Sequence, residues 1–252
     1  VGQPATRFRE DALRILRGLR FSVTYNLTPE PETEKAMLAL TGLLDSLARE
    51  RVFGEFCGFL PKITEKELHR YAPIITQVIP EVGATVGFDQ HSPHHKYDLY
   101  THIAQVVEQV PGDLPLRWAA LLHDVGKIPT FTRDETGRGH FYGHAQAGAE
   151  LAEQILRRLK APTALRQRVV LLIQQHMTRL MPEKRLCTRY RGRWGQETVE
   201  QLLYLQQADM GSKGIPGEEE QEAFETLWHL LKETEQESAC LTRKDLALTG
   251  RD

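Results

Sequence analysis

No apolar run in this sequence approaches the 18 or so residues that a bilayer-spanning helix needs, and no signal peptide is recognisable, so no membrane partner is expected. Cysteine is scarce. Cys57, Cys187 and Cys240 are odd in number and far apart, forming neither a CxxC pair nor a disulfide framework, which points to a reducing, cytoplasmic setting. An excess of one charge is missing too: 32 Lys and Arg face 34 Asp and Glu, a net charge of -2, which excludes a uniformly basic nucleic-acid binder. There is no GxSxG and no glycine-rich phosphate loop, so serine-nucleophile and P-loop chemistry have no footing.

What is present is uneven. From Arg157 to Arg193 eleven Lys or Arg residues stand against a single acid, Glu183, whereas Glu218 to Glu237 holds eight Glu against one Lys. The first stretch suits a phosphate backbone and the second would repel it, although either can also be a solvated face. Arg189-Tyr190-Arg191-Gly192-Arg193-Trp194 interleaves cations with rings that can stack on bases.

Hydrophobic periodicity predicts a mainly α protein. Arg9 to Phe21 reads as one helix, Thr28 as the N-cap of the next, then Glu34 to Ala48 and Val52 to Leu60 as helices. A stretch rich in Pro, Gly and His, from Ile79 to Tyr97, divides residues 1–78 from a second helical region at 79–237, with 238–252 as a tail. Helices are expected at Leu99 to Val110, Leu116 to Leu122, Tyr142 onward, Leu165 to Met177, Thr198 to Met210 and Ala223 to Thr234, with Gly211 to Gly217 as a loop. Phe131 and Phe141 flank a turn-rich tip, Asp134 to Gly139, which predicts a small β-hairpin.

The chemistry concentrates in His102, His123, Asp124, His144, His176 and Asp209, each on or at the end of a different predicted helix except the adjacent His123-Asp124. The apolar run Trp118 to Leu122 carries that pair inward, and a buried carboxylate is costly unless it is paired or metal-bound. Helix bundles build metal sites from such inward-pointing His and acid residues. The division expected is His102, His123, Asp124 and Asp209 on one divalent ion, with Asp124 bridging to a second held by His144 and His176. Mixed His/Asp ligands accept Mg, Mn, Ni, Fe or Zn. Gly126 is expected to permit a tight turn, and Lys127 to bring a cation near the ions, where it or Arg133 would neutralise phosphoryl oxygens.

His102, His123-Asp124 and Asp209 resemble the H…HD…D signature of the HD metal-dependent phosphohydrolase superfamily, and His144 with His176 resembles its two-metal members. Leu121 to Lys127 and Phe141 to Glu150 resemble the HD domain attached to bacterial tRNA nucleotidyltransferases, the CCA-adding enzymes related to poly(A) polymerase. Residues Arg7 to Phe21 resemble the nucleotide-selecting motif that follows the catalytic head of that family. Asp11 and Arg14, three residues apart, would share a helix face, and the resemblance implies that Glu10, Asp11 and Arg14 read the base of a CTP or ATP in the full-length context. Leu47 to Val52 resembles the region after that motif, and Leu241 to Asp252 the start of the tRNA-contacting tail.

The chain opens at Val1 on the nucleotide-selecting motif, without the family's Gly-Ser loop and magnesium-binding carboxylates. As it stands it is not expected to add CCA, and it is expected to be an excised middle portion or one part of a split enzyme whose head is a separate chain. Two functions follow. One is a phosphohydrolase of phosphomonoesters or 2′,3′-cyclic phosphates at RNA ends, with Asp124, Lys127, His144 and His176 as catalytic residues. The other is a tRNA-binding module in which the HD site is ancillary or inactive.

Overall fold

A computed structural model describes residues 2–91, 97–214 and 217–239. The amino-terminal helices are α1 (Pro4–Glu10), α2 (Leu13–Tyr25), α3 (Pro31–Ala39), a 3-10 helix (Thr41–Ser46), α4 (Arg49–Phe59), α5 (Glu65–Arg70), α6 (Ala72–Val78) and α7 (Pro80–Gly83). They differ locally from the periodicity. The helix expected over Arg9 to Phe21 breaks at Asp11, whose extended backbone and side chain terminate α1 and start α2, with Oδ1 accepting from Leu13 N at 3.1 Å. The cap of α3 is Glu30 rather than Thr28: its carboxylate accepts from Thr33 N at 2.9 Å, ahead of Pro31 at the first helical position. The helix expected from Glu34 to Ala48 stops at Ala39 and tightens into the 3-10 turn.

The second group is α8 (Leu99–Gln109), α9 (Leu114–Leu122), α10 (Lys127–Thr130), a hairpin of β1 (Thr132–Arg133) and β2 (Gly139–His140), α11 (His144–Arg158), α12 (Thr163–Gln175), α13 (Lys184–Trp194), α14 (Gln196–Lys213) and α15 (Glu218–Ala239). The hairpin pairs Thr132 with His140 and Arg133 with Gly139. Asp134 closes its tip, accepting from Thr136 N and Arg138 N. The segment expected to be a loop from Gly211 continues α14 to Lys213, because nothing breaks the period until Gly214 at φ 156°.

Caps set the starts of the helices around the centre. Asp98 accepts from Thr101 N at 2.9 Å to begin α8 and takes Gly87 N on its other oxygen at 2.6 Å. Asp113 caps α9 through Leu116 N at 3.0 Å and also accepts from Gln201 of α14 at 2.7 Å, tying the two helices together. Trp118 is fully buried, stacked near Phe53 and Phe56 of α4. One buried apolar cluster runs from Phe8 to Leu231, and α8, α9, α12 and α14 pack around its middle. Among the described residues no helix is long and apolar enough to cross a membrane, and Cys57 and Cys187 are free thiols.

Candidate metal centre

Five helices deliver the six residues to one place. His102 sits in the first turns of α8. His123 ends α9 and Asp124 follows it. His144 is the first residue of α11, His176 ends α12, and Asp209 lies one turn before the end of α14. Ending α9 with helical backbone at His123 turns both it and Asp124 into the interior, where they are 0% and 1% exposed.

Gly126 lies in the expected turn, which Lys127 N closes on Asp124 O at 3.0 Å, but the turn itself does not require glycine. Its φ of -68° is open to any residue. What it provides is closeness: a Cβ there would lie 2.2 Å from the carbonyl oxygen of His144 and 2.4 Å from Gly148 N. The chain after Asp124 therefore rests on the backbone of α11, which sets His144 beside Asp124.

The contacts fall into two groups that share one carboxylate. Asp124 Oδ2 lies 3.1 Å from His102 Nε2 and 3.3 Å from His123 Nε2. Asp209 Oδ1 lies 3.1 Å from His102 Nε2 and 3.8 Å from His123 Nε2, and the two imidazole nitrogens are 3.3 Å apart. On the other side, Asp124 Oδ1 faces His144 Nε2 at 3.6 Å and His176 Nε2 at 4.0 Å, themselves 3.3 Å apart. Each group could hold an ion: His102, His123, Asp124 and Asp209 in one, Asp124, His144 and His176 in the other.

The backbone fixes which nitrogen points inward. Nδ1 of His123, His144 and His176 lies 2.9, 2.8 and 2.6 Å from the carbonyls of Ala120, Phe141 and Ile173, to which each donates. Nδ1 of His102 is 2.8 Å from Ser212 Oγ. Such bonds orient the ring and leave Nε2 toward the centre.

Charge and burial contend at every group. Burial opposes ionisation of Asp124, but His123 and Lys127 beside it outweigh that and hold its carboxyl well below the usual range. Burial likewise opposes the Asp209 charge, and His102, His123 and Lys213 override it. Burial disfavours the His123 imidazolium, yet Asp124 and then Asp209 push its pKa up to about 9. His176 goes the other way, to about 4, through burial and the charge on His123, and burial also lowers His144. Burial thus disfavours a charge on either His144 or His176, and each commits its Nδ1–H to a carbonyl. Uncharged, the two rings turn Nε2 lone pairs toward each other at 3.3 Å, an arrangement that a cation resolves. Asp124 Oδ2 and Asp209 Oδ1 are buried and accept no well-directed hydrogen bond. Spacings of 3.1–3.3 Å are those of neighbouring ligand atoms on one ion with bonds of about 2.0–2.2 Å. The donor set therefore fits one or two divalent ions.

Lys127 is not a surface residue: it is 4% exposed, with Nζ 2.7 Å from Asp124 Oδ2 and 2.9 Å from Gln90 Oε1, and 5.3 Å from the centre of the Phe141 ring. Arg133 instead pairs with His91 on the exposed hairpin. The sequence reading missed three supports. Gln90 holds Lys127, Ser212 meets His102, and Lys213 pairs with Asp209 Oδ2 at 2.7 Å. The last two were legible as positions three and four residues after Asp209, had the helix been continued.

Glu10, Asp11 and Arg14, which the resemblance casts as base readers, are arranged differently from expectation. Asp11 and Arg14 do not lie on one continuous helix, because the chain breaks from helical backbone at Asp11. Glu10 takes Arg7 at 2.7 Å and Arg14 at 3.2 Å, while Asp11 caps α2 and lies 3.9 Å from Arg51. Leu241 to Asp252 lies outside the described residues.

The HD domain family model matches residues 99–210, a span that holds all six site residues. The chain is 37% identical over 226 residues to the A-adding tRNA nucleotidyltransferase of Deinococcus radiodurans, an alignment covering 84% of this chain and 52% of that protein. It is 36% identical over 179 residues to the Multifunctional CCA protein of an Azoarcus species, covering 67% and 43%. With the CC-adding tRNA nucleotidyltransferase of Thermus thermophilus it shares 33% identity over 234 residues, covering 86% and 52%. The chain spans about half the length of these curated relatives. An HD-type helical fold, a clustered His/Asp site of the kind metal-dependent phosphohydrolases use, and this sequence identity together assign the chain to the HD-domain portion of the bacterial CCA-adding, or tRNA nucleotidyltransferase, family.

Proposed function

We propose that this chain hydrolyses phosphomonoesters or 2′,3′-cyclic phosphates at nucleotide or RNA ends, with two divalent ions held by His102, His123, Asp124, Asp209, His144 and His176. The observation that carries this is the inward-facing His144–His176 pair, its two Nε2 atoms 3.3 Å apart beside a carboxylate shared with the first group. When bound, such ions activate water and polarise phosphoryl oxygens. The protein's part is to hold Asp124 between the two groups, to keep each imidazole in the Nδ1–H tautomer, and to exclude bulk solvent. Lys127 acts as a positioning and charge-balancing residue on Asp124 Oδ2, within reach of a phosphoryl oxygen brought to the same centre. In this reading residues 79–237 form the hydrolase unit, 1–78 a helical nucleotide-selecting region with Glu10, Asp11 and Arg14, and 238–252 the start of a tRNA-contacting tail.

The test is metal content of the purified protein together with hydrolysis of bis-p-nitrophenyl phosphate and 2′,3′-cyclic AMP. Asp124→Ala should abolish turnover and lower bound metal. Retained turnover in that variant would sink the mechanism.

A second reading, a tRNA-binding module serving a nucleotidyltransferase head, draws on α13. Arg185, Arg189 and Arg193 are exposed at helical spacing, and the Tyr190 and Trp194 rings stack at 5.7 Å. Reversing the charge of Arg189 and Arg193 should weaken tRNA binding and spare phosphatase turnover. The cytoplasm is the proposed compartment.

A further inference from the structure

Two residues before His144 the chain carries an exposed aromatic surface that the hydrolytic chemistry does not use. Tyr142 is 79% exposed, more than any other large hydrophobic residue described in the chain. Only Gly143, in left-handed backbone at φ 77°, separates it from His144, so the two Cα atoms are at most about 7 Å apart. Its ring does not hang loose. It lies parallel to the His140 ring, 5.4 Å between centres and 5° between planes, with its hydroxyl 3.4 Å from His140 Nδ1. His140 is in turn held by Asp134, Nε2 to Oδ2 at 2.7 Å, at the tip that the hairpin closes. Across the inward-facing pair, the residue after His176 is Met177, 57% exposed. Both members of the His144–His176 pair therefore have an exposed apolar neighbour in the chain.

An aromatic ring kept flat and open beside a phosphate-binding centre costs exposed apolar surface and adds nothing to the core. It suits a flat π-system, since nucleobases stack on such rings irrespective of their identity. We propose that Tyr142, backed by His140, is a platform on which the nucleobase of the substrate stacks while its phosphate lies at the His/Asp centre. This rests on the phosphohydrolase reading above and narrows its substrates to nucleoside phosphates and RNA ends over phosphomonoesters without a base.

The experiment compares two slowly hydrolysed ligands, adenosine 3′-phosphorothioate and glycerol 2-phosphorothioate, by calorimetry on the metal-loaded full chain. Turnover of 2′,3′-cyclic AMP and of glycerol 2-phosphate is measured alongside. Tyr142→Ala should weaken the adenosine ligand about tenfold, or roughly 1.4 kcal/mol, and leave the glycerol ligand within about twofold. It should raise KM for the cyclic nucleotide by the same factor with kcat little changed, and Tyr142→Trp should restore both. Because the side chain is exposed, folding is not at risk. Equal losses on both ligands, no loss on either, or failure of Tyr142→Trp to rescue overturns the platform. Wild-type protein that binds the adenosine ligand through Tyr142 but turns over neither substrate upholds the platform and overturns the phosphohydrolase reading instead.

Discussion

Replacing Gly126 by alanine tests how the second half of the metal centre is assembled. The new Cβ would stand 2.2 Å from the His144 carbonyl oxygen, 2.4 Å from Gly148 N and 2.8 Å from Gly148 Cα. Ordinary contact is about 3.5 Å, so the two segments must separate by about 1 Å. All three atoms are backbone, and no side chain can rotate out of the way. Overpacking of this kind costs about 1–3 kcal/mol, and rigid backbone partners put Gly126→Ala near the upper end. For a chain of this size that corresponds to a fall of roughly 6–12 °C in Tm. The shift also has a direction. It moves α11, which carries His144, away from Asp124, whereas His102, His123 and Asp209 sit on other helices. Gly126→Ala should therefore lose one ion and keep the other, read by elemental analysis beside calorimetric melting. Gly192→Ala is the control: it lies inside α13 with nothing within 4 Å, and should be neutral or raise Tm slightly. A Gly126→Ala protein melting within about 2 °C of wild type with both ions bound would refute the reasoning.

His144→Ala and His176→Ala should each reduce bound metal from two ions to one, whereas Asp124→Ala should approach none, as counted by elemental analysis after dialysis. Loading should expel a proton. His123, with its pKa pushed up to about 9, is protonated at pH 7.5 in the metal-free protein, and a ligand must be neutral. Calorimetry in buffers of different ionisation enthalpy should detect about one proton released; none released at pH 7.5 contradicts this. Metal-free stability should peak near pH 6.5. The raised His123 contributes stability that is full below its unfolded value of about 6.5 and is lost as pH climbs toward 9. The lowered His176 contributes stability that is full above that value and is lost as pH falls toward 4. A metal-free Tm that rises steadily from pH 6.5 to 9 would be the wrong sign. Lys127→Met leaves Asp124 short of a buried partner, so it should destabilise the metal-free protein by about 3 kcal/mol and the loaded one by much less.

The sequence made the centre legible where chemistry and periodicity coincide. An apolar run ending in His123-Asp124 announces a buried ionisable pair, and His102, His144, His176 and Asp209 lie at ends or faces of helices that the apolar spacing locates. It was less legible where one local hydrogen bond outweighs periodicity. Asp11 breaks a helix that its flanking leucines and arginines would continue, because its carboxylate offers Leu13 N a cap. Glu30 takes a role more often given to Thr or Ser, helped by Pro31. Gly211 suggested a loop, yet α14 runs through it, and Ser212 and Lys213 reach the centre only because it does. Gln90 could not be found by spacing at all. It reaches Lys127 from 37 residues away, and no periodic signal encodes that meeting.

The position of Asp124 explains why the site is built as it is. Its two oxygens are assigned to different partners, Oδ2 toward His102, His123 and Lys127, Oδ1 toward His144 and His176. At 1% exposure it has no solvent to rotate into. A buried carboxylate with one oxygen left bare would be costly, and Lys127 with the protonated His123 offsets that cost before any ion arrives. The first group is thus preformed by protein charges, and an ion entering it replaces a proton. The second group has no such substitute, since burial disfavours a charge on both of its histidines. The two halves should consequently differ in kind. The first should bind tightly with a pH dependence set by His123, and the second more weakly with little proton release. Stepwise titration of metal into metal-free protein at pH 7.5 should show proton release confined to the first equivalent. Release shared equally between both equivalents would mean that Asp124 does not divide the site in this way.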